Sequence, residues 1–214
     1  MRSKKETAWK KSRTFGDVKG GRKALKWYNS ILHRMHNLEA PAKGTETPVY
    51  IQDNPSRDFY HPVSPEEIKA FLSTFHEFQA QEISYIWLRK QSHKEYEKED
   101  SLQGCYIWGE NVRLIVLYSF PKDNKMSFGK RKPTAKILRW YQEYCTDLRE
   151  EKDNWYLQWN EKDIKEYYLN GLLLHEIGHH VDKVYKYGQA SQAKAEKWAD
   201  AYSFYWANRL RERV

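Results

Sequence analysis

With 214 residues the chain has a length that suits one domain, and its net charge of +8 and mean hydropathy of −0.96 describe a strongly polar protein. No run of residues is long and apolar enough to span a bilayer, so we expect no membrane partner. Two cysteines, Cys105 and Cys145, exclude a disulfide framework, and the charged N-terminus lacks the apolar segment of a secretory signal. These features together predict a cytoplasmic protein with reduced thiols.

The first 23 residues contain nine Lys and Arg against two acidic residues, a composition typical of a flexible arm. We therefore divide the chain into a basic arm, residues 1–23, and a single domain, residues 24–214. A solubilising tail is the preferred interpretation of the arm. The alternative is a contact with the phosphates of a nucleic acid.

Apolar periodicity and turn residues predict the secondary structure of the domain in chain order. The first elements are a helix at 24–38, a strand at 49–51, a helix from Ser64-Pro65 to about 78, a strand at 83–89 and a hairpin of 106–108 with 112–120. A polar loop at 122–133, a helix at 137–144 and a strand at 155–159 follow.

In the last part of the chain the sequence predicts paired helices. Asn160 caps a helix that Asn170-Gly171 kinks, the next helix ends at Gly188, and a final helix extends over 191–211. This order predicts an α+β fold, in which a small twisted sheet, antiparallel or mixed, packs on an active-site helix and a further helix follows.

The sequence His175-Glu176-Ile177-Gly178-His179 lies inside an apolar run that predicts a buried helix. Residues four apart share a helix face, so His175 and His179 can present two imidazoles to one metal ion. Glu176 lies about 100° further round, close enough to meet a water on that metal. The arrangement is typical of zinc hydrolases, with Glu176 as general base. Gly178, a poor helix former, indicates close backbone packing.

A catalytic zinc site needs three protein ligands, so a third must come from elsewhere in the chain. Glu196 and Asp200 are four apart on the next predicted helix, and Glu196 is the favoured ligand. Asp200 could then accept a hydrogen bond from the free ring N–H of a ligand histidine. Asp182, one turn beyond His179, is the competing ligand, and a solvated acidic face is the alternative for the Glu196 pair.

This pattern resembles the gluzincin branch of zinc metallopeptidases. The short gap between His179 and Glu196 and the form E-x-x-A-D are similar to compact peptidases of the ImmA/IrrE type, small bacterial and mobile-element proteins that act on transcriptional repressors. The resemblance covers residues 165–207. It implies a zincin-like fold, with His175, His179 and Glu196 as Zn²⁺ ligands and Glu176 as general base.

We therefore expect a zinc-dependent metallopeptidase that acts on a specific intracellular protein or peptide. The substrate would extend along an edge strand, with the hairpin at 112–120 as the candidate. Four residues are open as the oxyanion donor: His180, Tyr185, Tyr187 and Tyr202. One alternative is a nucleic-acid-associated or regulatory zinc protein with little proteolytic activity, which the arm and the loop at 122–132 favour. The other is a zinc hydrolase of non-peptide substrates.

Overall fold

The computed structural model describes residues 38–74, 82–97, 103–109, 112–185 and 191–212. The chain divides into two compact units, Met1–Ala40 and Pro41–Val214, and everything described below concerns the second. The predicted basic arm, nearly all of the predicted helix at 24–38, and Gly188 lie outside the described residues.

A four-stranded mixed sheet contains the most buried part of the chain. Its strands are β1 (Val49–Gln52), β3 (Tyr85–Arg89), β4 (Gly104–Gly109) and β5 (Val112–Tyr118), in the order β1-β3-β5-β4. Strands β1, β3 and β5 are parallel to one another, and β4 is antiparallel to β5. A strand covered on both faces needs continuous apolar sequence, which the Leu114-Ile115-Val116-Leu117 run of β5 supplies. The strand predicted at 49–51, the strand at 83–89 and the hairpin are confirmed.

Two smaller sheets complete the β structure. One pairs β2 (Phe59–Tyr60) with β6 (Phe120–Pro121), and the other has the order β7 (Lys125–Gly129), β9 (Asn154–Gln158), β8 (Leu148–Glu151). The prediction of a polar loop over 122–133 was therefore wrong at β7. The sequence does not reveal this strand because only one of its central residues is apolar. Met126 is 2% exposed and pairs with Leu157, whereas its neighbours Lys125 and Ser127 are polar.

Six α-helices surround these sheets in the described part of the chain. They are α1 (Pro65–Ser73), α2 (His93–Tyr96), α3 (Ala135–Tyr141), α4 (Glu161–Glu166), α5 (Leu174–Tyr185) and α6 (Gln192–Arg211). Ser64 begins α1 with a complete capping box, and the Asn160 side chain accepts a hydrogen bond from the Asp163 N–H at the start of α4. The predicted helix starts are thus confirmed, although α1 ends at Ser73 rather than near 78.

Between α4 and α5 the backbone forms a π-helical turn, Tyr167–Leu173. The predicted kink at Asn170-Gly171 falls inside it. A β-carbon at Gly171 would lie 2.9 Å from Cδ2 of Tyr167, so this turn has room for no side chain there. Tyr167 and Tyr168 are fully buried and carry α4 and the turn into the main core. The predicted mixed organisation of small sheets and helices is confirmed.

Candidate metal centre

Helices α5 and α6 approach each other closely at Gly178. A β-carbon there would lie 2.9 Å from Cα and 3.2 Å from the carbonyl oxygen of Ala199. Only glycine leaves the space for this backbone contact, as the sequence predicts. The contact brings the outward face of α5, with His175 and His179, against the face of α6 that carries Glu196.

Three side-chain atoms converge between the two helices. Nε2 of His175 lies 3.1 Å from Nε2 of His179, and Oε2 of Glu196 lies 3.3 Å from the first and 3.5 Å from the second. Zinc bonds to nitrogen and oxygen of about 2.0–2.2 Å, arranged tetrahedrally, place neighbouring ligand atoms about 3.3–3.5 Å apart. The two distances to Glu196 have this value and the distance between the two nitrogens is slightly shorter, so a small outward shift of one imidazole would admit one ion, and the chemistry of the donors suits zinc.

Asp200 lies on the other side of His175. Its Oδ1 is 3.1 Å from Nδ1 of His175, an ion-pair distance, although the ring N–H does not point at the oxygen closely enough for a hydrogen bond. His175 is thus approached by a carboxylate at each ring nitrogen, Glu196 at Nε2 and Asp200 at Nδ1. Asp200 thus lies beside the free nitrogen of His175, and the hydrogen bond that the sequence suggests for it stays a prediction.

The charges of this cluster depend on one another. Contacts with His175 and His179 lower the pKa of Glu196, which therefore stays ionised. Burial lowers the pKa of His175, but the contacts with Asp200 and Glu196 outweigh burial and raise this pKa to about 9. The carboxylates that raise the pKa of His175 would also attract a divalent cation, whose binding requires the imidazole to be neutral.

Glu176 is 4% exposed and lies beside strand β4. Burial raises the pKa of its carboxyl, and the positive charges of His175 and His179 oppose this shift. The nearby backbone of Tyr106 opposes the shift as well. A β-carbon at Gly104 would lie 3.2 Å from Oε1 of Glu176, so a side chain at that position would crowd the carboxylate.

The four-stranded sheet has β1 at one edge and β4 at the other, and β4 is the edge strand that lies along α5. Gly104 faces Glu176, the Tyr106 hydroxyl lies 3.2 Å from Nδ1 of His180, and Lys183 Nζ lies 5.0 Å from the centroid of the Trp108 ring. The segment 112–120, the predicted substrate strand, was the wrong part of the hairpin. Its strand β5 is paired on both sides, with β3 and β4, and has no free edge.

The competing third ligand, Asp182, is outside the cluster. Among the described residues, the group that could hold a metal contains Glu196 with the two histidines, and Asp182 is 1% exposed in the interior. His180, one of the oxyanion candidates, is fully buried against Tyr106, with ring centroids 5.6 Å apart, and lies outside the cluster. Of the remaining oxyanion candidates Tyr202 is buried, and Tyr187 and the Tyr185 side chain lie outside the described residues.

Trp140 is a neighbour of the metal centre that the sequence does not reveal. It lies on α3, with its ring centroid 5.2 Å from that of His175 in an edge-on arrangement and 5.4 Å from that of Phe204. The ring covers one side of His175 and limits the orientations of the imidazole. No histidine or acidic residue on α3 marks this contact, because it arises only from the tertiary fold.

Comparisons with known proteins give no family for this chain. No protein-family model matches it, and no curated protein or solved structure is significantly similar. Within the described ranges, none of the helices has the length and apolar character needed to cross a membrane.

Proposed function

We propose that this protein is a zinc-dependent metallopeptidase of the compact gluzincin type, acting on a specific intracellular protein substrate. The observation that carries the proposal is the convergence of His175 Nε2, His179 Nε2 and Glu196 Oε2 at separations of 3.1, 3.3 and 3.5 Å. Three protein ligands from two helices leave one position of a tetrahedral ion open, which a catalytic rather than a structural zinc needs.

The surrounding architecture supports a zincin-like fold. A mixed sheet presents a single antiparallel edge strand, β4, to the helix that carries both histidines, and the next helix supplies the third ligand. A structural zinc site has no use for a buried carboxylate beside it. Glu176, directly after the first histidine and buried beside Gly104 of β4, therefore favours catalysis over a purely structural role.

Zinc bound by these residues supplies a Lewis acid that polarises a carbonyl group and lowers the pKa of water towards about 7. Glu176 takes a proton from the attacking water and delivers it to the leaving amine. Burial, which raises the pKa of Glu176, makes its carboxylate a stronger base for this transfer. Asp200 holds the imidazole of His175 through Nδ1, and Trp140 limits the rotation of the same ring.

The substrate backbone would pair with the free edge of β4. The Tyr118 N–H donates to the Gln103 carbonyl, and alternate residues of a strand direct their backbone groups to the same edge, so the N–H of Tyr106 points away from β5. The backbone groups of Gly104 and Trp108 therefore face this edge as well. An extended peptide pairing there would pass Glu176, which lies next to Gly104.

The test combines metal content with peptide cleavage. Purified wild type should contain about one zinc per chain, and His175→Ala and Glu196→Ala should contain none. The matched control is His93→Ala, which removes an exposed histidine from α2 and should leave the zinc in place. A wild type that neither contains nor takes up zinc would refute the centre.

Activity is tested separately with a proteome-derived peptide library and Glu176→Gln. This variant should keep its zinc and lose cleavage by about 10²–10⁴-fold, because it lacks the general base. Cleavage that survives undiminished in Glu176→Gln, or a wild type that binds zinc but cleaves no protein in lysates of its own cells, would contradict the peptidase assignment.

A further inference from the structure

A second surface of this protein, distant in sequence from the zinc ligands, carries an unusual concentration of charge. It comprises the loop after β7 and the exposed side of α3, and we call it the basic surface. Its cations are Lys130, Arg131, Lys132, Lys136 and Arg139, all of them exposed. From residue 124 to residue 142 the sequence contains no Asp or Glu. This stretch of the chain is therefore of one sign, whereas solubilising sequences mix both signs.

Within the described part of the chain, none of these five cations forms an ion pair. Other exposed cations nearby do: Lys125 pairs with Glu151, and Arg149 pairs with Asp147. Like charges without partners repel one another, and Lys136 adds to the cost because it lies in the first turn of α3, where the helix dipole favours acidic residues. Lys132 stacks on Trp155 and Arg139 lies in the last turn of α3, where a cation is favourable, but stability of the fold gives no reason for Lys130, Arg131 or Lys136.

Contacts with the rest of the domain hold the basic surface in place. Lys132 Nζ stacks over the ring of Trp155 on β9, 4.8 Å from its centroid, and the next residue, Pro133, is buried. The Thr134 side chain caps α3 by accepting a hydrogen bond from the Ile137 N–H. The cations thus project from an anchored turn and a capped helix, which reduces the entropy lost when they bind a partner.

We infer that the basic surface binds the phosphate backbone of a nucleic acid. A row of closely spaced cations without acids matches a polyanion whose charges repeat regularly, and releases counterions from it. A folded protein partner would need an apolar centre, and a membrane would need an apolar face to insert. Here Leu138, Trp140 and Tyr141 of α3 are packed against the core, and Ile137 alone is an exposed large apolar residue of that helix.

This inference does not depend on the proposed peptidase activity. The two are related in space, because α3 carries both Trp140, which contacts His175, and the exposed cations Lys136 and Arg139. A nucleic acid on the basic surface would therefore lie against the helix that borders the metal centre.

The experiment measures binding of the full chain to a fluorescein-labelled 30-base-pair DNA duplex by anisotropy, between 50 and 200 mM NaCl. The patch variant is Lys130→Gln/Arg131→Gln/Lys132→Gln. Two controls remove the same charge elsewhere: Lys43→Gln/Lys94→Gln/Lys162→Gln from exposed sites, and Lys4→Gln/Lys5→Gln/Lys10→Gln from the N-terminal arm. All three variants have a net charge of +5, since each loses three cations from +8.

We expect the patch variant to bind at least about tenfold more weakly, with a salt slope smaller by about three, one for each lost phosphate contact. The controls should change the slope by less than about one. The inference is overturned if the wild type does not bind at 50 mM NaCl, or if either control weakens binding as much as the patch variant. Equal binding of wild type to poly-glutamate or to vesicles with 30% phosphatidylserine would replace nucleic acid with general polyanion binding and also overturn it.

Discussion

Gly178 and Ala199 are in backbone contact, and a β-carbon at Gly178 would lie 2.9 Å from the Ala199 Cα. Ala199 lies between Glu196 and Asp200 on α6, so this contact fixes the position of both carboxylates along the α6 axis relative to His175. The glycine inside the histidine motif thus determines the position of the third ligand, although it binds nothing itself.

Replacing Gly178 by Val should therefore move α6 away from α5. We expect a loss of about 1–3 kcal/mol in the free energy of unfolding of the metal-free protein, because the contact has no room for the added carbons. Zinc affinity should fall as well, since Glu196 shifts with its helix. Urea unfolding and a competitive zinc titration measure the two effects. The control is Ala201→Val, which adds a valine at an exposed position of α6, outside the contact with Gly178. Unchanged zinc affinity in Gly178→Val would contradict the role of the contact.

Zinc should stabilise the wild-type fold by mass action, because the ligands come from two separate helices that an ion holds together. At a free zinc concentration about 100 times Kd the stabilisation is about 2.7 kcal/mol, which raises Tm. Glu196→Ala should lose most of this zinc-dependent rise, and Ca²⁺, which prefers oxygen ligands, should not produce it in either protein. Differential scanning calorimetry with and without zinc provides the measurement. If zinc raises the Tm of Glu196→Ala as much as that of the wild type, zinc binds at a site that does not include Glu196.

Asp200→Asn should weaken zinc binding by about 10–100-fold, a smaller loss than that from removing Glu196. The substitution keeps the size of the side chain but removes the negative charge that lies 3.1 Å from Nδ1 of His175. The imidazole then becomes a poorer electron donor and a less firmly oriented ligand. Competition with a chromophoric chelator gives the affinity, and Glu212→Gln at the exposed end of α6 is the charge-matched control. Wild-type affinity in Asp200→Asn would show that this carboxylate does not support the site.

The parts of the fold that the sequence predicts are those governed by local interactions. Ser64 and Asn160 cap their helices through bonds to the residue three positions later, so the signal and the structure lie within one turn. The relationship between His175 and His179 is likewise a property of one helix. Glu196 was the favoured third ligand and Asp182 its competitor, and the packing of α6 on α5 brings Glu196 to the two histidines.

The features that sequence reasoning missed depend on contacts between distant segments. Trp140 reaches His175 across 35 positions, and nothing near it in sequence marks that contact. Which strand of the hairpin forms the sheet edge depends on β3, which pairs with β5 and leaves β4 free. Sheet order is set by tertiary packing, and a pattern of alternation within one hairpin carries no information about it.

Cys105 should react slowly with thiol reagents despite its position next to the predicted catalytic region. Burial raises the pKa of its thiol to about 12, and the nearby Glu176 carboxylate acts in the same direction. At pH 8, below this pKa, about one molecule in 10⁴ carries the reactive thiolate. Burial also raises the pKa of Cys145. Ellman's reagent on Cys145→Ser, with and without urea, should show slow native and fast unfolded reaction. If Ellman's reagent reacts rapidly with the native protein, the Cys105 thiol is accessible and its pKa is not raised by burial.

Trp108 should determine which peptides the proposed peptidase prefers. It is 53% exposed at the far end of β4, on the same face as Gly104, which adjoins Glu176. Four residues of strand cover about 13 Å, so a peptide on this edge would meet the Trp108 ring three to four residues from its scissile bond. Lys183, stacked on the other side of the ring at 5.0 Å from its centroid, holds the indole in place.

We therefore expect Trp108→Ala to reduce a preference for apolar or aromatic side chains at one substrate position, raising KM by about 10-fold with little change in kcat. Remote contacts that are equal in the ground and transition states act in this way. Cleavage of a peptide library by both proteins identifies the position. Tyr205→Ala, which removes an equally exposed aromatic ring from α6, should leave the profile as it is. If the two variants alter the profile alike, or if Trp108→Ala lowers kcat and leaves KM unchanged, the substrate does not lie along β4 as proposed.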